Sequence, residues 1–237
     1  MTLEECRRFF AEEVRFAAAL PSSPLVDAFA HVPREQFVGP GPWQLGTITG
    51  MGGVVYTTSE DADPRRVYHN ALISLDPDRG LNNGQPSALA NWINALELKP
   101  GERVFHLGCG VGYYTAIMAE IVGPTGEVVA SEVHSELAAR SKENLSSWKN
   151  VTVHAQDGID VDPGPCHAML INAGVTHPQT PLARSATGAR PAGFAPDDRA
   201  WDVRRRPRGH GQDRSPAPHL FRFGRVLHCN LFLHQRA

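Results

Sequence analysis

Three glycines separated by single residues, Gly108-Cys109-Gly110-Val111-Gly112, stand between the apolar stretch VFHL (104–107) and the run YYTAIMAEIV (113–122). Glycine permits tight turns and lets a ligand approach the backbone with no Cβ in the way. Glu132 lies 20 residues beyond Gly112, at the end of the next apolar stretch. An acid there can accept hydrogen bonds from both hydroxyls of a ribose. Each charge-assisted bond contributes roughly 1.5–3 kcal/mol, enough to select a ribose. Asp157-Gly158 closes a third stretch, within reach of an adenine edge.

Dinucleotide loops prefer G-x-G-x-x-G, whose last glycine allows close helix packing and pyrophosphate access. Here Tyr113 follows Gly112, so the loop is GxGxG. That form suits S-adenosyl-L-methionine, which has no phosphates to seat. An NAD-dependent oxidoreductase using the same crevice is the alternative that Tyr113 disfavours.

These residues need elements to hold them. Periodicity predicts strands at Arg103–Leu107, Glu127–Glu132, Val151–Ala155 and His167–Asn172, with helices at Gly112–Val122 and Ser135–Trp148. Strands alternating with helices indicate an α/β fold with a doubly wound, mostly parallel Rossmann-like sheet. Upstream, Leu3, Cys6, Phe9, Phe10, Val14 and Ala17 approach helical spacing, and a short helix fits Leu25–His31. Residues 39–84, rich in Gly, Asp, Asn and Pro, read as loops with short strands forming a lid. A helix is predicted from Ser87 to the Pro100-Gly101 stop. The expected division is 1–84 as a helical and loop extension on the substrate side, 85–180 as the cofactor-binding core, and 181–237 as a tail.

Three segments, VPREQFV (32–38), NGQPSA (83–88) and VFHLGCGVGYYTAIMAEIVG (104–123), give the chain a resemblance to class I S-adenosylmethionine-dependent methyltransferases. It is most similar to the protein-L-isoaspartate O-methyltransferase family. The resemblance runs over residues 25–180 and extends to Glu132, Asp157 and Leu170–Gly174. It implies that Gly108, Cys109, Gly110 and Gly112 line the methionine part of the cofactor. Glu132 would hold the ribose, Asp157 and Gly158 the adenine side, and Asn172 would face the methyl group. Ser87 is the nearest match to a family serine that helps hold the substrate carboxylate. The segment is one residue shorter here, with Pro86 where the family has Ile, and Ser87 reads equally well as the N-cap of its helix. Gln85, Tyr68 and Asn70 would line the substrate mouth. No metal is expected, and structural roles are expected for His69 and His106. The implied activity is carboxyl O-methylation, with an isoaspartyl peptide or protein as acceptor; a non-catalytic remnant is the alternative.

The 237-residue chain has 23 Lys+Arg against 25 Asp+Glu, but the charge is uneven. Residues 181–237 hold 11 Arg, 4 Asp and no Lys, and no Ile follows Ile171. The stretch DVRRRPRGHGQDR (202–214) resembles a nucleic-acid arm, since exposed arginines attract phosphates. The change of vocabulary points instead to a reading frame lost near codon 181. In the shifted frame codons 182–187 can spell WLDRLR and codons 190–197 GRLVLPLT, an amphipathic helix and a buried strand. On that reading nucleic acid is not a partner, residues 181–217 are disordered, 218–234 is the only late stretch able to pack, and the sheet is incomplete after its fourth strand. Cys6, Cys109, Cys166 and Cys229 lack paired spacing, as in a reducing compartment. The N-terminus carries four glutamates and no continuous apolar run. The expected location is the cytoplasm, with no membrane contact.

Overall fold

The computed structural model describes residues 1–49, 53–173, 220–223 and 226–229. The expected disorder of 181–217 and the arginine-rich stretch lie outside them.

Two helices open the chain. Helix α1 (Leu3–Ala17) starts in a capping box, with the Thr2 hydroxyl accepting the Glu5 N–H and the Glu5 carboxylate accepting the Thr2 N–H. Its buried face of Phe10, Ala11 and Val14 meets α2 (Pro24–His31), which buries Leu25, Val26, Ala28 and Phe29. Residues 39–84, expected as loops with short strands, form an antiparallel sheet. Its strands β1 (Gln44–Ile48), β2 (Val54–Thr58), β3 (Leu72–Asp76) and β4 (Leu81–Asn82) lie in the order β2-β1-β3-β4. Gly46 explains why the pattern hides. A Cβ there would stand 2.7 Å from the Tyr56 ring, which crosses β1 at that point.

Helix α3 (Pro86–Ala95) begins one residue before the expected Ser87. The second sheet follows the predicted alternation: β5 (Arg103–Leu107), α4 (Tyr113–Val122), β6 (Glu127–Ser131), α5 (Ser135–Asn144), β7 (Val151–His154) and β8 (Ala168–Ile171). Strands β5 to β8 are parallel, with Leu107 opposite both Ser131 and Ile171, and Ser131 opposite His154. That register brings the carboxyl ends of all four strands to one edge.

The expected open edge beside the fourth strand is filled. Strand β10 (Val226–Cys229) runs parallel to β8, and β9 (Leu220–Phe223) pairs antiparallel with β10, completing the order β7-β6-β5-β8-β10-β9. An unpaired ladder on a central strand is costly, and the late apolar stretch supplies the missing backbone groups.

One apolar cluster joins the N-terminal helices to the parallel sheet. Phe29 of α2 meets Tyr113 and Tyr114 of α4 edge-on, at centroid distances of 6.2 and 6.5 Å. Whatever residues 1–84 contribute to a site is therefore fixed relative to the helix that follows the glycine loop.

Candidate active site

The loop after β5 turns through left-handed conformations at Gly108, Gly110 and Gly112, with φ of +77°, +56° and +93°. The three glycines do different jobs. A Cβ on Gly108 would stand 2.5 Å from the Asn172 carbonyl oxygen, so its bareness lets the loop pass the exit of β8. On Gly112 it would strike Leu145 and Ser141 at 2.7 and 2.8 Å, so that glycine seats α5. A Cβ on Gly110 would meet no atom of the described residues within 4 Å beyond its chain neighbours. Only there does a missing side chain leave room for a ligand.

Glu132 follows β6 and is 6% exposed. Its Oε2 accepts the Gly110 N–H at 2.8 Å and its Oε1 the His134 N–H at 3.0 Å. The Gly108 and Cys109 N–H groups both donate to the Ser131 carbonyl, drawing the loop onto the end of β6. An ionised carboxylate has about four acceptor positions, so these two bonds leave capacity for a diol. Val133, next in sequence and 62% exposed, adds an apolar surface to the same rim. Sequence reasoning missed it, since an apolar residue after an acid at a strand end is common and its exposure shows only in the fold.

Asp157 caps the short turn 158–160 by accepting the Ile159 N–H at 3.1 Å. Gly158 is buried, and a Cβ there would come within 2.3 Å of Leu107 and 2.5 Å of the Ser131 hydroxyl. Its role in this structure is close packing. The Asn172 N–H donates to the Leu107 carbonyl at 2.8 Å, fixing the residue at the exit of β8. The four strand ends thus carry Gly108–Gly112, Glu132, Asp157 and Asn172 to one rim.

Two polar groups near this rim are inert. The Cys109 thiol is buried, and desolvation pushes it up to about 12, so it is not a thiolate at neutral pH. His106 is fully buried, with Nδ1 2.8 Å from the Thr115 hydroxyl, and burial lowers its pKa to about 3. Among the described residues, no cluster of three or more His, Cys, Asp or Glu is placed to hold a metal ion.

The second group of expected residues lies on the segments 67–71 and 83–88. Ser87 and Asn70 clasp each other: the Ser87 N–H donates to Asn70 Oδ1 at 2.9 Å, and Asn70 Nδ2 donates to the Ser87 hydroxyl at 3.0 Å. The N-cap position belongs to Gln85, whose side chain makes no capping bond. Asn70, from another segment, satisfies one of the helix's free N–H groups. Ser87 is therefore not the N-cap, and its hydroxyl accepts from Asn70 while keeping a hydrogen it can donate.

Tyr68 stands differently from the mouth position expected of it. It is 5% exposed, donates its hydroxyl to Glu35, accepts from Arg7 Nε at 3.2 Å, and meets the Phe10 ring edge-on. It braces α1.

Two residues that sequence reasoning missed organise this side. The Tyr114 hydroxyl, on the helix after the glycine loop, donates to the Gly84 carbonyl at 3.2 Å, tying the segment that carries Ser87 to the opposite loop. Arg34 is fully buried and donates to the carbonyls of Val67, His69 and Ala71 at 2.8, 2.6 and 2.8 Å. Neighbouring Glu35 makes Arg34 look like half of an ordinary surface charge pair between Val32 and Phe37-Val38.

A family model described as protein-L-isoaspartate(D-aspartate) O-methyltransferase (PCMT) matches residues 58–184. The match ends close to residue 181, where the composition changes. A protein-L-isoaspartate O-methyltransferase of Aeropyrum pernix is 31% identical over 192 residues, 78% of this chain and 65% of its own. One of Ignicoccus hospitalis is 44% identical over 160 residues, 66% of this chain and 64% of its own. The chain thus spans slightly under two thirds of each relative. Among solved structures, a protein-L-isoaspartate O-methyltransferase superposes with a TM-score of 0.56 at 23% identity, covering 73% of this chain and 49% of that one. A Plasmodium falciparum protein described as a putative member, in complex with S-adenosyl-L-homocysteine, gives 0.55 at 18% identity, covering 76% and 78%. At these identities the two structures speak for the fold.

Proposed function

Because the chain belongs to the protein-L-isoaspartate(D-aspartate) O-methyltransferase family, we propose that it transfers a methyl group from S-adenosyl-L-methionine to the carboxylate of an isoaspartyl residue in a peptide or protein. The observation that carries this reading is the rim at the ends of β5 to β8. There, open space beside Gly110 adjoins a Glu132 carboxylate with acceptor capacity to spare. That combination fits an adenosyl cofactor, and a related fold binds S-adenosyl-L-homocysteine.

When bound, the cofactor supplies an electrophilic methyl group on a sulfonium. Glu132 accepts from the ribose hydroxyls, Asp157 stands on the adenine side with Val133 against the base, and Gly110 admits the methionine portion. No strong base is required. A carboxylate with a pKa near ~4 is already ionised at neutral pH, so the chain's task is alignment and exclusion of water, worth roughly 7–11 kcal/mol in favourable cases. Ser87 donates its hydroxyl to the acceptor carboxylate, with Gln85 and Asn70 beside it. We assign Tyr68 to packing. We propose a substrate-side segment (1–84) and a cofactor-side core (85–180) whose first residues, Gln85 and Ser87, reach the acceptor.

Among the described residues no helix is long and apolar enough to cross a membrane. Cys6 and Cys109 take part in no disulfide among the described residues, in keeping with the reducing compartment, the cytoplasm, that we propose. The arginine-rich stretch is left without a nucleic-acid role.

The test is transfer of label from methyl-labelled S-adenosyl-L-methionine to a peptide containing isoaspartate, beside the same peptide with ordinary aspartate. A base-labile methyl ester on the isoaspartyl peptide alone is expected. Tight cofactor binding with neither peptide labelled would remove the acceptor assignment.

A further inference from the structure

We propose that Arg34 is a positioning residue for the methyl acceptor, acting through the backbone of residues 67–71 and the Asn70 side chain on Ser87. The inference rests on the reading of Ser87 as a contact to the acceptor carboxylate.

The guanidinium spans three alternate carbonyls, those of Val67, His69 and Ala71, and also faces the rings of Phe10 at 5.1 Å and Tyr113 at 5.9 Å. A planar fork can hold three oxygens at fixed angles, which a lysine ammonium on a flexible stem cannot. The three bonds bracket Asn70 from both sides, since His69 and Ala71 are its neighbours in the chain. Glu13 of α1 accepts the Asn70 N–H at 3.3 Å and adds a further tether. With its backbone held, Asn70 meets both the N–H and the hydroxyl of Ser87. The line from Arg34 to Ser87 runs through hydrogen bonds to the His69 and Ala71 carbonyls, the backbone joining them to Asn70, and the two Asn70–Ser87 bonds. Ser87 lies at the first turn of a helix with no other side-chain cap. The Tyr113 ring below the guanidinium belongs to the helix that leaves the glycine loop, so the same cation is registered against the cofactor side.

A purely structural arginine would disturb the whole molecule when replaced, whereas a positioning one would weaken use of the acceptor and spare the cofactor. The experiment compares wild type, Arg34→Lys, Asn70→Ala and the double variant in the full chain. It reads KM for an isoaspartyl peptide, Kd for S-adenosyl-L-homocysteine, and hydrogen exchange of the Ser87 amide. Each single variant should raise the peptide KM by roughly tenfold while the cofactor Kd stays within about twofold, and the double variant should be no worse than Asn70→Ala alone. The Ser87 amide should exchange faster in both single variants, a readout that holds whatever the acceptor is. Asn70 is only half-buried, so its variant reports even where Arg34→Lys folds poorly. The proposal is overturned by unchanged Ser87 exchange, by effects that multiply in the double variant, or by Arg34→Lys losing cofactor binding in parallel. A wild type that binds cofactor but leaves the peptide unmodified would count against the acceptor reading, and the amide exchange would still decide the role of Arg34.

Discussion

In the loop after β5, position is set by main chain. Gly108 and Cys109 donate to the Ser131 carbonyl, Gly110 donates to Glu132, and bare glycines pass within contact distance of Asn172 and Ser141. Across the rim, around Asn70 and Ser87, position is set by side chains that reach over long stretches of sequence. Arg34 holds residues 67–71, Asn70 holds Ser87, and Tyr114 holds Gly84. The first arrangement is compact and intolerant of added atoms. The second can be loosened one bond at a time. On the function proposed, that asymmetry would hold a constant cofactor rigidly while the acceptor side admits isoaspartyl residues in varied sequence contexts.

The contrast can be broken most forcefully at Gly108. Substitution by alanine sets a Cβ 2.5 Å from a carbonyl oxygen at a φ of +77°, and backbone cannot swing aside as a side chain would. Affinity for S-adenosyl-L-homocysteine, measured by calorimetry, should fall at least about a hundredfold, close to 2.7 kcal/mol. Unchanged affinity would mean that the loop is as adaptable as the opposite side.

A second test reads the rigidity of the cofactor half through pH. Burial lowers the His106 pKa from 6.5 to about 3. Between those values the unfolded chain binds a proton that the folded chain refuses, so stability is full above about 6.5 and falls as pH drops. The loss should reach about 2 kcal/mol by pH 5. In His106→Asn the urea midpoint should decline less steeply over the same range. Parallel declines would show that β5 opens to admit the proton.

The smallest effect is expected at Tyr68. Replacement by phenylalanine removes the bonds to Glu35 and Arg7, which can still pair at 3.5 Å. Stability should fall by about 1 kcal/mol, with the peptide KM unchanged. A raised KM would return Tyr68 to the substrate mouth.

How much was legible in the sequence follows the same division. The glycine loop, Glu132, Asp157 and the β5–β8 alternation are local features, and a short window contains everything that determines them. Arg34 was unreadable because an arginine beside a glutamate normally stays in water, and the carbonyl oxygens that receive it lie 33 to 37 positions away. The Asn70–Ser87 clasp was hidden for a like reason. Serine and asparagine both cap helices, and composition cannot say which one reaches a helix from outside. The antiparallel sheet escaped because Gly46 breaks the alternation to admit an aromatic ring. The late strands were legible only as an apolar stretch able to pack, because a register such as Val226 opposite Met169 cannot be read from either segment alone.

That last pairing also fixes the order in which the protein can be made. A ribosome releases β5 to β8 well before it reaches Cys229, and until then the outer ladder of β8 has no partner. The nascent chain must carry a sticky central strand through that interval, so slow elongation or a scarcity of chaperones would reduce the yield of folded protein without altering any residue at the site. The sheet is closed last at β10, between β8 and the edge strand β9, and its vulnerability during synthesis is set by time.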